Sequence, residues 1–185
     1  MSGHSKWSSI KRQKGATDAA KSRTFSRFSR LITLEAKKAA GNLSAPGLLG
    51  AIERAKGVNM PKDSIERAVS KGSSKDAGSL EQVVYEWYGP GGVAVVVDAL
   101  TDNRNRTTQE IKHLLTKNGH ELGTPGSALW AFTKSGGGIL TPNEPLTDLS
   151  ESDEAAFVSL LTLFDEHDDV QQVFTNARGY ETTRE

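Results

Sequence analysis

Residues 93–99, VAVVVDA, limit the folds open to this chain more than any other stretch. In an extended conformation Val93, Val95 and Val97 point one way and Ala94 and Val96 the other, so both faces are apolar. A strand of that kind is a central one, covered on both sides. Before it, Gly89-Pro90-Gly91-Gly92 breaks regular structure, because glycine admits positive φ and proline fixes its own. After it, residues 101–107 form an abrupt polar run with two arginines. Thr107 and Glu110 have the spacing of a capping box, which predicts a helix over 108–118 with Ile111, Leu114 and Leu115 inward.

The flanking pattern is that of an α+β fold. Val83, Tyr85 and Trp87 alternate with Val84, Glu86 and Tyr88, a strand leading into the turn. Residues 128–132 predict a third strand with Ala128, Trp130 and Phe132 on one face. Residues 135–150 are rich in glycine and proline and read as a flexible connection. Residues 151–167 predict a helix burying Phe157, Leu160, Leu161 and Phe164, and 170–175 a last strand with a frayed tail beyond Asn176. The order is β-β-α-β-α-β: a four-stranded sheet with two helices over one face and the other face open.

Ahead of this unit the apolar period is 3.6. Phe25, Phe28, Ile32, Ala36 and Ala39 predict a helix over 17–41. A second covers 46–57, with Leu48, Leu49, Ile52 and Ala55 inward, and a third 61–71, opened by Pro61. Three helices with short connections make a small bundle, and 72–79, GSSKDAGS, links it to the rest. The expected domains are a basic arm at 1–16, a helical domain at 17–78 and an α+β domain at 79–185.

The formal charge is zero, but it is unevenly placed. Residues 1–78 hold 16 Lys+Arg against 6 Asp+Glu, and residues 79–185 hold 7 against 17. Such asymmetry points to a nucleic-acid partner for the basic part, with the acidic part aiding solubility. In the arm His4, Lys6, Lys11, Arg12 and Lys14 surround Trp7, an arrangement that neutralises phosphates and stacks on a base. Arg23, Arg27, Arg30 and Lys37 form a basic stripe on the first helix, and together with Lys21 this continues the charge of the arm.

Other chemistry is missing from the pattern. There is no cysteine, no phosphate-loop signature, no G-x-G-x-x-G and no G-x-S-x-G. The four histidines are scattered, so neither a metal site nor a cofactor is expected. No apolar run approaches the roughly 20 residues that span a membrane, and the basic N-terminus lacks an apolar signal region. The chain reads as cytoplasmic and non-enzymatic.

The segments GHSKWSSIKRQKGATDAAKSRTFSR, NMPKDSIERAVSKG and YGPGGVAVVVDALTDNRNRT resemble the YebC/PmpR family, which includes mitochondrial translational activators of cytochrome c oxidase. The likeness covers most of residues 3–133, and FVSLLTLFDEHDDVQQVFTNA resembles the family's last helix and strand. It implies a nucleic-acid-associated protein without a small-molecule substrate. It also implies that the family's third domain is absent, 135–150 standing in its place. Family members are described either as translation factors on the ribosome, serving elongation through proline-rich stretches, or as DNA-binding transcriptional regulators. With no clear recognition helix in the sequence, ribosomal RNA and tRNA are the expected partners and DNA the alternative. The matching motifs assign nucleic-acid contact to the arm, to Lys21, Arg23, Arg27 and Arg30, and to Asn103, Arg104, Asn105 and Arg106. They also include Met60, Pro61 and Lys62, which read better as the start of a helix.

Overall fold

The computed structural model describes Lys6 and residues 18–74, 80–135 and 139–181. The expectations for His4, Trp7, Lys11, Arg12 and Lys14 lie outside the described residues, as does most of the 72–79 connection.

The 3.6-residue stripes form α1 (Asp18–Ala39), α2 (Pro46–Gly57) and α3 (Lys62–Ser73). Their shared core holds Ile32, Ala36, Leu48, Ala51, Ala55, Met60, Ile65 and Ala68, with Phe25 and Phe28 packed at its edge. Leu49, expected inward, is 46% exposed. It sits about 100° around the helix from Leu48, and the small Ala51 takes the inward place. α1 and α3 cross very closely. A Cβ on Gly72 would lie 2.3 Å from the Thr33 carbonyl oxygen and 2.7 Å from the Ala36 Cβ. Across the same crossing the Thr33 hydroxyl donates to the Ala68 carbonyl at 3.2 Å. Gly72→Val is expected to force the helices apart and destabilise this core by about 3 kcal/mol, the upper range for overpacking. A denaturant midpoint equal to that of the parent chain would refute this account of the crossing.

The second unit is built on the hairpin of β1 (Glu81–Tyr88) and β2 (Ala94–Thr101), in register from Glu81↔Thr101 to Tyr88↔Ala94. The turn between them is a single 3-10 turn, Pro90–Gly92, in which Gly91 and Gly92 have φ of 68° and 76°. A side chain at Gly91 would also strike Leu149, so glycine is required there on two counts. α4 (Arg104–Lys117) and α5 (Glu151–Glu166) follow, and β5 (Val170–Thr175) pairs antiparallel with β2. Ile111 and Leu115 from α4, with Phe157, Leu160, Leu161 and Phe164 from α5, cover one face of this sheet.

The α+β reading is correct, but the sheet differs from the expected four strands. Among the described residues it has three, in the order β1-β2-β5. The third strand expected at 128–132 is instead a 3-10 turn, Leu129–Ala131. β3 (Phe132–Ser135) then pairs only with β4 (Ile139–Pro142) in a separate hairpin. The physical reason is Glu86, a buried carboxylate of β1. It accepts the backbone N–H groups of Gly126, Ala128 and Leu129 at 2.6, 2.8 and 2.7 Å. Those groups curl around a carboxylate instead of joining a ladder. Trp130, expected on one strand face with Ala128 and Phe132, is therefore 68% exposed. The 135–150 segment is likewise partly ordered, as β4 and a bridge from Thr147 to Ala177.

The β3–β4 hairpin lies on the second face of the sheet, where Phe132 and Leu140 meet Ala94, Val96 and Phe174. β2 is thus covered on both sides, as its sequence requires, while Val84 on the same face stays exposed. The chain beyond Asn176 is not frayed as far as residue 181. Ala177 and Tyr180 are buried, and Tyr180 meets Phe157 edge-on at 5.7 Å.

Candidate nucleic-acid interface

α4 begins four residues earlier than the capping-box spacing implies. Asn103 caps it, its side chain accepting the Arg106 N–H at 3.1 Å. Arg104 and Asn105 are exposed in its first turn. Thr107 is not a cap. It is buried, and its hydroxyl lies 2.8 Å from that of Thr101 and donates to Asp169 at 2.6 Å.

Asp169 is the meeting point of the two units. It lies in the turn between α5 and β5 and is 2% exposed. One carboxylate oxygen accepts from Thr107 and, at 2.8 Å, from Arg106. The other accepts from Arg30 of α1 at 2.6 Å. Arg30 also donates to the Asp168 carbonyl at 2.6 Å. One turn earlier on α1, Arg27 pairs with the Asp165 carboxylate at 3.0 Å and donates to the Asp165 carbonyl. Burial alone would raise the Asp169 pKa. The bonds from Thr107 and Arg106 and the charges of Arg30 and Arg106 outweigh it and hold the carboxyl below its ordinary value.

The arginines expected on one solvent-facing stripe therefore divide. Arg27 and Arg30 on α1 and Arg106 on α4 are engaged by the acidic turn 165–169. Lys21 is exposed on the outer side of α1, and neither it nor the half-buried Arg23 has an ion-pair partner among the described residues. Lys6 lies elsewhere. Its backbone N–H donates to the Gly179 carbonyl at 2.6 Å. Its ammonium pairs with Glu154 at 2.8 Å and sits 5.9 Å from the Tyr180 ring centre. Glu154 also accepts from the Tyr180 hydroxyl at 2.7 Å.

Glu110, His167 and Asp169 bring possible metal-ligand atoms within 4.8 Å of one another. The surrounding bonds account for this trio. His167 Nδ1 accepts the Asp169 N–H at 3.2 Å, and its Nε2 faces Glu110 at 3.3 Å. Two guanidiniums already share the Asp169 carboxylate and oppose a further cation.

Sequence reasoning missed a groove between α1 and α3. It is lined by Lys21, Arg67 and Lys71 at its rim and by Phe25, Met60 and Ala68 at its floor, with a volume of about 580 Å³. The signal was present in Ser22, Ser26 and Ser29, whose helical spacing runs along one face of α1 and leaves room beside it.

These features define a class: a cationic three-helix unit, clamped by arginine–aspartate pairs onto an α+β unit, with further cations along the groove between α1 and α3. Two family models fit it in succession. One, described as the TACO1/YebC protein N-terminal domain, matches residues 5–75, and one described as the TACO1/YebC second and third domain matches residues 80–144. The chain belongs to the TACO1/YebC family. A relative from Dictyoglomus turgidum is 41% identical over all of this chain and 75% of its own length. One from Rubrobacter xylanophilus is 48% identical over 74% of this chain, but the match spans only 56% of that relative. Both are described as probable transcriptional regulatory proteins. A crystal structure of the conserved hypothetical protein Aq1575 from Aquifex aeolicus matches with a TM-score of 0.76 at 29% identity, over 87% of this chain and 91% of that one.

Proposed function

We propose that this chain is a cytoplasmic regulatory protein that binds nucleic acid through its helical unit and acts by binding rather than by catalysis. The observation that carries the reading is the division of the cations. The acidic turn takes up Arg27, Arg30 and Arg106, while Lys21, Arg67 and Lys71 line the groove between α1 and α3, and Arg23 has no ion-pair partner among the described residues. Phosphates are the natural partners of such a surface. The first reading is RNA on the ribosome. α3 carries Asp63 and Glu66 among its cations, a poor face for a duplex major groove. An open groove between two helices suits the splayed bases of irregular RNA better. Control of transcription through DNA is the second reading, favoured by the descriptions given to the relatives.

Co-sedimentation with ribosomes at near-physiological salt, with excess random duplex DNA present, separates the two. Retention on ribosomes is expected, and stripping by DNA would move the transcriptional reading ahead. Lys21→Glu with Arg23→Glu is expected to weaken ribosome association at least tenfold and to lower the salt dependence by about two phosphate contacts. Unchanged association with an unchanged melting curve would overturn the assignment of α1.

A further inference from the structure

The lysines of the helical unit are not all alike. Lys38 pairs with Glu35 at 2.8 Å, Lys56 with Glu53 at 2.8 Å and Lys62 with Glu66 at 3.6 Å, each within one helical turn. Lys21 and Lys71, on opposite walls of the α1–α3 groove, have no carboxylate within ion-pair distance among the described residues. Arg67 stands between them on α3, and its guanidinium is turned along its own helix to the Asp63 carbonyl and the Ser64 hydroxyl, both at 3.2 Å. Asp18 is the one carboxylate among the lining residues, so the groove carries a net positive charge of two. Its floor is different in kind. Phe25 is half-buried, Met60 is buried, and Ala68 leaves space above the helix. Ser26 and Ser64 add hydroxyls on the two walls.

A cationic rim over an aromatic and thioether floor matches a group that is anionic at one end and flat and apolar at the other. We infer that the groove takes one unstacked nucleotide of a single-stranded RNA segment, its phosphate between Lys21, Lys71 and Arg67 and its base against Phe25 and Met60. The inference rests on the nucleic-acid reading above and sharpens it. A base within a duplex cannot reach the floor, because both its faces are stacked. A single strand offers the base and the phosphate together, and stacking on an aromatic ring tolerates any sequence. A groove of about 580 Å³ is within the range of small-ligand sites. Asp18, at the α1 end, is placed to accept from a base amino group or a 2′-hydroxyl.

The test uses the full chain and a short single-stranded RNA carrying one 2-aminopurine, beside the same sequence as a duplex. The expected result is binding to the single strand at least tenfold tighter than to the duplex, with a change in 2-aminopurine fluorescence. Ser26→Phe fills the groove without altering charge and is expected to remove that preference while leaving duplex binding intact. Lys21→Glu with Lys71→Glu is expected to weaken both. Melting curves of each variant establish that the fold is kept. Equal affinity for the two forms, unaffected by Ser26→Phe, would overturn the groove while leaving phosphate binding in place. Binding to neither would overturn the nucleic-acid reading itself. Displacement of the RNA by polyglutamate at equal charge concentration would show that only charge is recognised and would overturn base recognition.

Discussion

Asp169→Ala is expected to lower stability by about 3 kcal/mol, in the range for breaking a buried ion pair, and to lower Tm by on the order of 10 °C. The loss is large because one buried carboxylate serves three donors. Removing it takes from the Thr107 hydroxyl its shortest bond, leaving Thr101 and the Asn103 carbonyl, and takes from Arg30 and Arg106 the buried carboxylate that lies between their charges. It also removes one of the bonds that join α1 to the α+β unit, the Arg30–Asp169 pair. Amide exchange in the first half of α1 is therefore expected to quicken more than exchange in β2. The effect depends on pH with a definite sign. The folded-state pKa of Asp169 lies below its unfolded value, so its contribution is fully present above about pH 4 and is lost as pH falls through the folded value. The gap in Tm between the parent chain and the variant should therefore close in acid. Melts at several pH values that run parallel would refute this account of Asp169.

Glu86→Ala is the second substitution with a large expected effect. The Glu86 carboxylate holds three backbone N–H groups, one of them fully buried. Without it the loop must find water or other acceptors. A cost of about 2–3 kcal/mol is expected, since an unsatisfied buried donor costs roughly 1–3 kcal/mol and the two outer groups can be rehydrated. The aromatic pair beyond the loop depends on the same contact. The Trp130 indole N–H donates to the Tyr88 hydroxyl and to the Ser127 carbonyl, both at 2.9 Å. Exchange of the 126, 128 and 129 amides should quicken by a hundredfold or more, while those of β2 change only with global stability. Glu86→Gln keeps one acceptor but turns an amide group toward these donors, and should recover only part of the loss. Slow exchange retained at 126–129 in the alanine variant would show that the loop holds itself.

Local patterns were legible in the sequence, and contacts between distant residues were not. α2 was read with its bounds intact, because Pro46 and the apolar spacing speak within a dozen residues. β2 was read as doubly covered from its own valines. The start of α4 was misplaced because Asn103 and Thr107 are both good caps, and the Thr107 hydroxyl is claimed by an aspartate 62 residues away. The segment 128–132 has the alternation of a strand, but its donors go to a carboxylate some 40 residues earlier. The arginines of α1 were read as phosphate contacts because Asp165 and Asp169, which take up Arg27 and Arg30, lie 138 and 139 residues on. The opposed charges of the two parts of the chain did carry that message. Their balance was read as solubility, where part of it is complementarity between the units.

The loop held by Glu86 also decides how the sheet ends. β1 is an outer strand, with β2 on one side only. Leu122 bridges to Trp87 on its other side, and the Gly123 N–H donates to the Glu86 carbonyl at 2.7 Å. The outward groups near the hairpin turn are thus already used, and that part of the edge cannot template a strand from a second molecule. Freed of the loop, β1 would offer an open ladder beside the exposed Val84. Loss of the Glu86 carboxylate would release this cover, and is expected to show as aggregation in concentrated solution.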